Sequence, residues 1–337
     1  MGDLVSIEER YACACSARAS WFMRAAHAPA ALALTGLAER SRLVACANDF
    51  TAAFLQGFDS TCIRFIDRPC VDEFVRAGRD AGSKDASLVW FVNSVGCLGL
   101  RVPDLRALAV AAREEGALLV VDNTVASLFG CRALSLGAHV VLEALDRIAA
   151  GSLGCKVVAV SVARDQFKRG GHRADDPAAR TALYHLESRL SQSEARTFLL
   201  RDASSLDCIA QGLDTVEVRM QRHMDNARAI AEYLSAHPAI PRVDYPGLSA
   251  HVDRNVVSSV LMHGAGPAID FVLPRGERAG EFIRALGAEY RTAPAGGPRT
   301  RVSALEGDGG CTVRLFAGTD NPLGVVDDID RVLRGIV

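Results

Sequence analysis

The chain has 337 residues, of which 49% are apolar and 23% charged, which indicates a globular protein of two domains or one large one rather than a disordered chain. Its formal net charge of −2 excludes the basic footprint of a nucleic-acid-binding or anionic-membrane-binding protein. No apolar run approaches the roughly 18 residues of a membrane-spanning helix, and the acidic start does not resemble a signal peptide. We therefore expect a soluble cytoplasmic protein.

The numbers and positions of cysteine and lysine residues limit which metal sites and which lysine-dependent mechanisms are possible. The ten cysteines are scattered, and the close pair Cys13 and Cys15 has no second cluster at zinc-site spacing, so we expect no metal site. Only three of the 38 basic residues are lysine, namely Lys84, Lys156 and Lys168. A mechanism that needs a lysine amine therefore has three candidates.

The first half of the chain alternates between strand-like and helix-like segments. Short apolar runs predict strands at Leu43–Ala47, Leu88–Val92, Leu118–Val121, Val140–Leu142 and Val157–Val160. Amphipathic spacing predicts helices at Phe50–Phe58, Val71–Ala77 and Pro103–Glu115. This alternation indicates βαβ units, and hence an α/β fold with a mainly parallel sheet covered by helices on both faces.

The second half predicts a smaller unit behind a long helix. Residues Arg164–Ala195 are polar and predict a loop followed by a solvated helix, and a long helical pattern then runs from Leu206 to His237. Further strands are predicted at Ala268–Leu273, Glu289–Arg291 and Thr312–Phe316, and further helices at Gly280–Leu286 and Leu323–Gly335. We therefore expect a large domain over residues 1–205, and a bridging helix with a smaller C-terminal α/β domain over residues 206–337.

Several short motifs occur in the order typical of one enzyme family. They are Val120-Val121-Asp122-Asn123-Thr124 with Leu136-Gly137-Ala138, Arg219-Met220-Gln221-Arg222-His223 with Asn226-Ala227, Asp244-Tyr245-Pro246-Gly247-Leu248, and Arg314-Leu315-Phe316-Ala317-Gly318. Together they resemble the cysteine/methionine-metabolism branch of the fold-type-I pyridoxal-phosphate (PLP) enzymes, which includes cystathionine γ-synthase, cystathionine γ-lyase and methionine γ-lyase. The resemblance implies the PLP-transferase fold over most of the chain, whereas function must be argued at the site.

The resemblance also implies what a PLP site needs. It needs a Schiff-base lysine, a carboxylate on the pyridine nitrogen, an aromatic residue stacked on the ring, and a phosphate cup at a helix N-terminus. Asp122, at the end of a predicted parallel strand, matches the carboxylate, although an aspartate there could also simply cap the following turn. Phe50 matches the stacking residue, which is a tyrosine in the family.

The Schiff-base lysine is not at its expected position. The family's Ser-Ala-Thr-Lys segment falls on Ala144-Leu145-Asp146-Arg147, which places Arg147 at the lysine position. A guanidinium keeps its proton up to a pKa above about 12 and has no amine lone pair to attack an aldehyde. Asp146 replaces a hydroxyl that helps to hold the phosphate, and its carboxylate would repel a phosphate dianion.

The phosphate cup is altered as well. The family's Ser-Ser-Gly-Met falls on Met23-Arg24-Ala25-Ala26, so the glycine and both hydroxyls are replaced. We also expect a shortened N-terminal arm, without the Tyr-x-Arg segment that the family donates to a neighbouring subunit. We therefore expect no PLP binding in the family's manner, and Arg24, at a predicted helix start, could bind a small anion instead.

Other charged residues could still act in the former cofactor pocket. Arg314 matches the arginine that grips the substrate α-carboxylate in the family, with a surface arginine on a strand as the alternative interpretation. Arg147 and Asp122 could form an ion pair across the pocket. Lys156, nine residues beyond Arg147, could supply a relocated amine if it reached back toward the ring.

The sequence leaves three functional hypotheses open. The first is a PLP-independent pseudoenzyme, a degenerate cystathionine γ-synthase-like protein that serves as a partner or binding subunit of an enzyme. The second is a repurposed PLP-independent enzyme that binds an amino-acid-like or carboxylate ligand in the old cleft. The third is a PLP-dependent lyase or transferase with a relocated lysine. The resemblance further implies a homo-oligomer, either a dimer or a tetramer, because the family's sites lie at subunit interfaces.

Overall fold

The large sheet has seven strands and is mainly parallel, as predicted. The computed structural model describes residues 2–24, 41–46, 63–80, 87–149, 151, 156–164, 166–169, 172–192, 199–274, 278–293, 295–305 and 311–336. The strands of this sheet are β1 (Ala19–Arg24), β2 (Ser41–Ala45), β3 (Ile63–Phe65), β4 (Ser87–Asn93), β5 (Ala117–Asp122), β6 (Val140–Ala144) and β7 (Val157–Val162). Their order is β1-β7-β6-β5-β4-β2-β3. Strands β2 to β6 are parallel, and β7 is antiparallel to both of its neighbours.

Helices cover this sheet because both of its faces are apolar. In β4, Val89 and Phe91 contribute to one hydrophobic cluster, whereas Trp90 and Val92 contribute to another. Since successive side chains of a strand point to opposite faces, such a strand must be buried on both sides. The helices of the described residues are α1 (Gly2–Ala14), α2 (Val71–Asp80), α3 (Leu105–Glu114), α4 (Ser127–Gly130), α5 (Pro177–Ser191), α6 (Ala203–Ala236), α7 (Arg254–Val260), α8 (Ala279–Leu286), α9 (Ala288–Thr292) and α10 (Pro322–Ile336).

A second, antiparallel sheet forms the C-terminal part of the fold. The remaining strands are β8 (Gln166–Arg169), β9 (His172–Asp175), β10 (Arg242–Asp244), β11 (Ala268–Val272), β12 (Arg301–Ala304) and β13 (Thr312–Phe316). Strands β8 and β9 pair as a hairpin, and the second sheet has the order β10-β11-β13-β12. Its own hydrophobic cluster includes side chains of α6, α8 and α10. The fold-type-I expectation of a large sheet with a smaller α/β unit is therefore confirmed, while the boundary at residues 205 and 206 stays a prediction.

The structure departs from the predicted elements in a few places. Glu289–Arg291 was predicted as a strand but lies in the one-turn helix α9. Only Tyr290 of these three residues is buried, and an alternation over three residues fits one helical turn as well as a strand. The polar stretch after Arg164 forms the β8–β9 hairpin before α5 instead of a loop. The predicted helix Phe50–Phe58 lies outside the described residues.

The long helix was predicted at nearly its observed bounds. Helix α6 has 34 residues and begins after Asp202, whose side chain accepts a hydrogen bond from the Ser205 amide. This is the capping contact expected at a helix N-terminus. In the part of the chain that the structure describes, no helix is long and apolar enough to cross a membrane.

Candidate active site

The sheet topology brings several predicted site residues to one edge. Parallel strands β4, β5 and β6 end at this edge, with Asp122 as the last residue of β5 and Arg147 in the turn after β6. Antiparallel β7 begins at the same edge, and β1 ends there at Arg24, which pairs with Val157. Ligand crevices of open α/β sheets lie at the carboxyl ends of the parallel strands. This edge is therefore the candidate site.

Asp122 is a buried carboxylate held by two hydrogen bonds. It is 1% exposed, its Oδ2 accepts from the side-chain amide of Asn93 at 2.9 Å, and its Oδ1 accepts from the Thr124 backbone at 2.9 Å. Burial raises the pKa of Asp122 to about 6, and the bonds from Thr124 and Asn93 and the charge of Arg147 only partly oppose this shift. When burial raises the pKa of a carboxyl group in this way, a cationic partner stabilises the carboxylate, because opposite charge favours the ionised form.

Arg147 does not form the ion pair with Asp122 that we hypothesised. Its side chain is 37% exposed, and its Nε lies 3.9 Å from Oδ2 of its neighbour Asp146. The two Asp122 oxygens are already engaged by Asn93 and Thr124. The arginine therefore acts on Asp122 only through its charge, which lowers the pKa of that carboxyl.

The turn that carries Arg147 is fixed from two sides. From helix α6, Arg219 donates to the Ile148 carbonyl at 2.6 Å and to the Ala149 carbonyl at 2.9 Å. From the C-terminal part, Gly296 packs so closely that an added Cβ would lie 2.5 Å from the Arg147 carbonyl oxygen. The position of Arg147 is thus set by the fold and not by its own side chain.

Asp146 joins this turn to the start of β7. Its Oδ1 accepts a hydrogen bond from the Val157 backbone at 3.2 Å. Burial raises the pKa of Asp146, and the charges of Arg147 and Lys156 oppose that rise. Lys156 is exposed, and because it immediately precedes β7 it lies at the same sheet edge as Asp122.

Arg24 is not at a helix start. It is the last residue of β1, and its exposed side chain forms an ion pair with Asp202 at 3.1 Å. Met23, the first residue of the predicted phosphate cup, is fully buried in the core. The prediction was wrong because Ala19–Arg24 forms a strand that pairs with β7, more than a hundred residues away. Ala25, Ala26 and the stacking candidate Phe50 lie outside the described residues.

Arg314 is neither a surface residue nor open to a ligand. It is 1% exposed, and its Nε and Nη2 donate to the two oxygens of Asp270 at 2.6 and 2.7 Å. Nη2 also donates to the Cys97 carbonyl at 2.8 Å. Burial raises the pKa of Asp270, and the hydrogen bonds and charge of Arg314 oppose the rise. Binding of a ligand carboxylate by Arg314 stays a prediction, and it would require exchange with Asp270.

A small cavity separates the sheet edge from the C-terminal part. Its volume is about 10 Å³, which is room for about one water molecule. Its lining residues are Thr124, Val125, Arg147, Ile148, Ala295 and Phe316. The Arg147 turn and the second sheet therefore meet at the candidate site.

Sequence reasoning missed four contributors to this site, namely Asn93, Ser94, Arg219 and Asp270. Asp270 had a usable signal, because a carboxylate inside the apolar strand Ala268–Val272 needs a partner. Asn93 ends a buried strand next to Asp122, and the parallel register alone pairs the two residues. The contacts of Arg219 with a turn 70 residues away leave no local signal in the sequence.

Comparison with known proteins identifies the chemistry associated with this fold. The family model described as "Cys/Met metabolism PLP-dependent enzyme" matches residues 16–304. O-acetyl-L-homoserine sulfhydrylase 1 of Thermus thermophilus is 30% identical over 321 residues, which cover 87% of this chain and 74% of the relative. Homocysteine synthase of Schizosaccharomyces pombe is 30% identical, over 73% of this chain and 61% of the relative.

Solved structures agree with the fold. Apo CalE6, a methionine gamma lyase from Micromonospora echinospora, superposes with a TM-score of 0.79 at 23% identity, over 99% of this chain and 87% of that one. MetB from Corynebacterium glutamicum gives a TM-score of 0.80 at 20% identity, over 100% of this chain and 86% of that one. At these identities the structures support the fold alone.

The family match corrects one prediction from the sequence. We expected no cofactor, but the matched family is one of PLP-dependent enzymes, so the prediction of a cofactor-free protein was wrong. The error came from treating the replaced lysine and cup residues as sufficient to exclude the whole cofactor. The described residues include Asp122, the carboxylate that the resemblance assigns to the ring nitrogen, and those replacements leave it in place.

The described residues fit the pyridine-nitrogen end of PLP but not covalent attachment at its aldehyde. Asp122 is a buried carboxylate whose pKa is raised by burial, which suits a protonated pyridine nitrogen. The Ser94 amide donates to the Asp122 carbonyl at 2.9 Å, and the buried Ser94 hydroxyl has no hydrogen-bond partner among the described residues, which leaves it able to receive a polar group. At the other end, Arg147 offers no amine for covalent attachment.

Proposed function

Because the chain belongs to the Cys/Met metabolism PLP-dependent enzyme family, we propose that it binds PLP but is a catalytically degenerate subunit without the family's covalent attachment residue. One observation carries the proposal. Arg147 follows β6 on the same sheet edge as Asp122, where the resemblance places the lysine. Since its guanidinium stays protonated, it cannot capture the cofactor aldehyde.

The residues around Asp122 would hold the ring. When bound, PLP supplies an electron-withdrawing pyridine ring. Asp122 would accept a hydrogen bond from the protonated ring nitrogen, while Asn93 and Thr124 keep its two oxygens oriented through bonds of 2.9 Å each. Because all these groups are buried, water competes weakly for their hydrogen bonds.

The Arg314–Asp270 pair supports loss of substrate turnover. The relatives of this chain include an O-acetyl-L-homoserine sulfhydrylase, a homocysteine synthase and a cystathionine gamma-lyase. By the resemblance, an arginine at this position grips the α-carboxylate of such amino-acid substrates. In this chain the carboxylate of Asp270 already accepts hydrogen bonds from Nε and Nη2 of Arg314. An incoming amino acid would therefore gain little at Arg314.

A binding and trapping experiment tests the proposal. The purified full-length chain is titrated with PLP, binding is followed by tryptophan fluorescence and cofactor absorbance, and a parallel sample is treated with borohydride before intact-mass measurement. We expect saturable binding with no covalent mass gain, and about a tenfold weaker binding in Asp122→Asn, because the loss of one charged hydrogen bond costs about 1.5 kcal/mol. Absence of saturable binding contradicts the proposal.

A second candidate function rests on Lys156. It immediately precedes β7 at the same sheet edge, and its positive charge opposes the rise that burial causes in the pKa of Asp146. If Lys156 supplied the amine, the chain would be a PLP-dependent lyase or transferase with a relocated attachment residue. A borohydride-stable adduct on the wild-type chain that disappears in Lys156→Arg and persists in Lys84→Arg would favour this candidate over the degenerate subunit.

We also propose that the chain acts in an oligomer. The family's sites lie at subunit interfaces by the resemblance, so a subunit without an attachment residue would act within a homodimer or beside an active enzyme. Light scattering coupled to size-exclusion chromatography is expected to give the mass of a dimer or tetramer. A monomer at micromolar concentration contradicts the homo-oligomer and leaves a different partner enzyme as the remaining form of the proposal.

A further inference from the structure

Two buried cysteines at the same edge of the sheet have no role in the proposed cofactor site. Cys46 directly follows β2 and Cys97 lies in the loop after β4, and their Sγ atoms are 3.1 Å apart. Cys46 is fully buried, whereas Cys97 is 6% exposed. Because β2 and β4 are neighbours in the sheet, the fold itself brings together two thiols from distant parts of the sequence.

The loop that carries Cys97 is anchored by the C-terminal part of the fold. Cys97 has a φ of 61°, in the left-handed region that costs a non-glycine residue energy unless its surroundings hold it. Here the Cys97 carbonyl accepts from Arg314 at 2.8 Å, and the Gly99 amide donates to Asp270 at 3.0 Å. His251 contacts the Gly99 carbonyl at 3.0 Å. These anchors hold the Cys97 sulfur against Cys46.

The two thiols differ in their electrostatic surroundings. The hydrogen bond with Cys46 and the positive charges of Arg314 and Arg101 hold the pKa of Cys97 below its usual value despite burial. The same hydrogen bond, together with burial, raises the pKa of Cys46. Since the thiolate is the reactive form of cysteine and Cys97 is the more exposed of the two residues, these surroundings favour Cys97 as the attacking sulfur and Cys46 as the resolving one.

We propose that Cys46 and Cys97 form a redox site that is oxidised by hydroperoxides to a reversible intramolecular disulfide. The Cys97 thiolate attacks one peroxide oxygen, the oxygen–oxygen bond breaks, and the other oxygen leaves as water or alcohol after protonation. The Cys46 thiol then attacks the resulting Cys97 sulfenic acid, the sulfur–oxygen bond breaks, and water leaves with the thiol proton. The two thiols lose two electrons and the peroxide gains them.

Disulfide formation would act on the neighbouring ion pair. A disulfide bond is about 2.05 Å long, so the sulfurs must approach each other by about 1 Å. That shift moves the loop whose backbone contacts Arg314 and Asp270. The oxidation state of the two cysteines is thereby coupled to the geometry of the Arg314–Asp270 pair, which lies in the second sheet. This coupling does not depend on PLP.

Peptide mass mapping tests the proposal on the wild-type, full-length chain. The reduced protein is treated with hydrogen peroxide, unfolded in N-ethylmaleimide and digested with trypsin. We expect the peptide Asp85–Arg101 to become linked to Leu43–Arg64 with loss of two hydrogen atoms, and dithiothreitol to reverse the link. Fragment spectra separate Cys46 from Cys62 in the second peptide. The exposed Cys208 is the internal control and is expected to stay alkylated.

Variants separate the roles of the two sulfurs. In Cys46→Ser, the oxidation of Cys97 is expected to stop at the sulfenic acid, which dimedone traps. In Cys97→Ser, Cys46 is expected to stay reduced and to be alkylated by N-ethylmaleimide. Cys208→Ser is the matched control and should oxidise as the wild type does. The proposal is overturned if the peroxide-treated wild type keeps both thiols alkylated, links either one to another cysteine, or accumulates Cys97 sulfenic acid without the linked peptide.

Discussion

Asp270 accepts two hydrogen bonds from Arg314, at 2.6 Å from Nε and at 2.7 Å from Nη2, so a carboxylate of the chain itself fills the guanidinium fork. The pair follows from the strand register, in which Asp270 of β11 lies opposite Arg314 of β13. Both side chains are almost fully excluded from solvent. The arginine that the resemblance assigns to ligand binding therefore forms an ion pair with a carboxylate of the chain itself.

Removal of the Asp270 charge tests how much this pair stabilises the fold. Asp270→Asn leaves the buried Arg314 charge without its counter-ion, so we expect the free energy of unfolding to fall by about 3 kcal/mol. Asp214→Asn, which breaks the exposed pair with Arg10, should change it by less than about 1 kcal/mol. Urea denaturation measures both variants, and equal effects would contradict the structural role of the buried pair.

The close approach of Gly296 to the Arg147 turn gives a second prediction. An alanine Cβ would lie 2.5 Å from both the Arg147 carbonyl oxygen and a side-chain carbon of Ile148, and Gly296 has a φ of +79°. We expect Gly296→Ala to lower the free energy of unfolding by about 2–4 kcal/mol. The control is Gly324→Ala in helix α10, where an added Cβ would meet no atom of the described residues within 4 Å apart from its own helix backbone and chain neighbours. We expect this variant to gain up to about 1 kcal/mol in the free energy of unfolding.

Arg219 is predicted to position the Arg147 turn from a distance. Arg219→Met removes the bonds to the Ile148 and Ala149 carbonyls, and we expect a loss of about 2 kcal/mol in the free energy of unfolding. Arg228→Met on the same helix, whose exposed side chain pairs with Glu232, serves as the control. In an Arg147→Lys background, Arg219→Met should also lower the borohydride-trapped PLP adduct severalfold, which a purely structural loss elsewhere would not do.

Glu143 gives the fold a specific pH dependence. This carboxyl accepts hydrogen bonds from Tyr11 at 2.7 Å and Ser127 at 2.8 Å, and burial raises its pKa from 4.5 to about 7. Because the folded state then binds the proton more tightly than the unfolded state, the stabilisation is present below pH 4.5 and is lost as the pH rises to about 7. The loss amounts to about 3 kcal/mol.

The variant Glu143→Gln isolates this effect, because glutamine does not titrate. The stability of the wild type relative to Glu143→Gln should fall between pH 4.5 and pH 7 and level off above that range, as measured by urea denaturation at fixed ionic strength. A difference that stays constant with pH would show that Glu143 does not carry the shift.

The sheet was predictable from the sequence because its strands are buried on both faces. Five of its seven strands were placed within a few residues, since continuous apolar runs such as Leu88–Val92 have few alternative structures. The strand β1 was missed because its paired partner β7 is more than a hundred residues away, and no local pattern marks that pairing. The one-turn helix at Ala288–Thr292 was too short for its period to be resolved.

The candidate site was predictable only in part. Asp122 and Arg147 were found because motifs place them, but the partner of each side chain depends on neighbouring strands and turns. The sequence suggested a pair between these two residues, whereas the structure pairs Arg147 with Asp146 and engages Asp122 with Asn93 and Thr124. Distances between side chains follow from packing across the sheet edge, which periodicity does not encode.

We propose that Arg147 prevents covalent attachment of a cofactor that the Asp122 end of the site would still hold. The most direct test is the intact mass of the wild type and of Arg147→Lys after incubation with PLP and borohydride. We predict one reduced cofactor group on Arg147→Lys, mapped to position 147, and none on the wild type. An unmodified Arg147→Lys chain, or an equally modified wild type, would contradict the account.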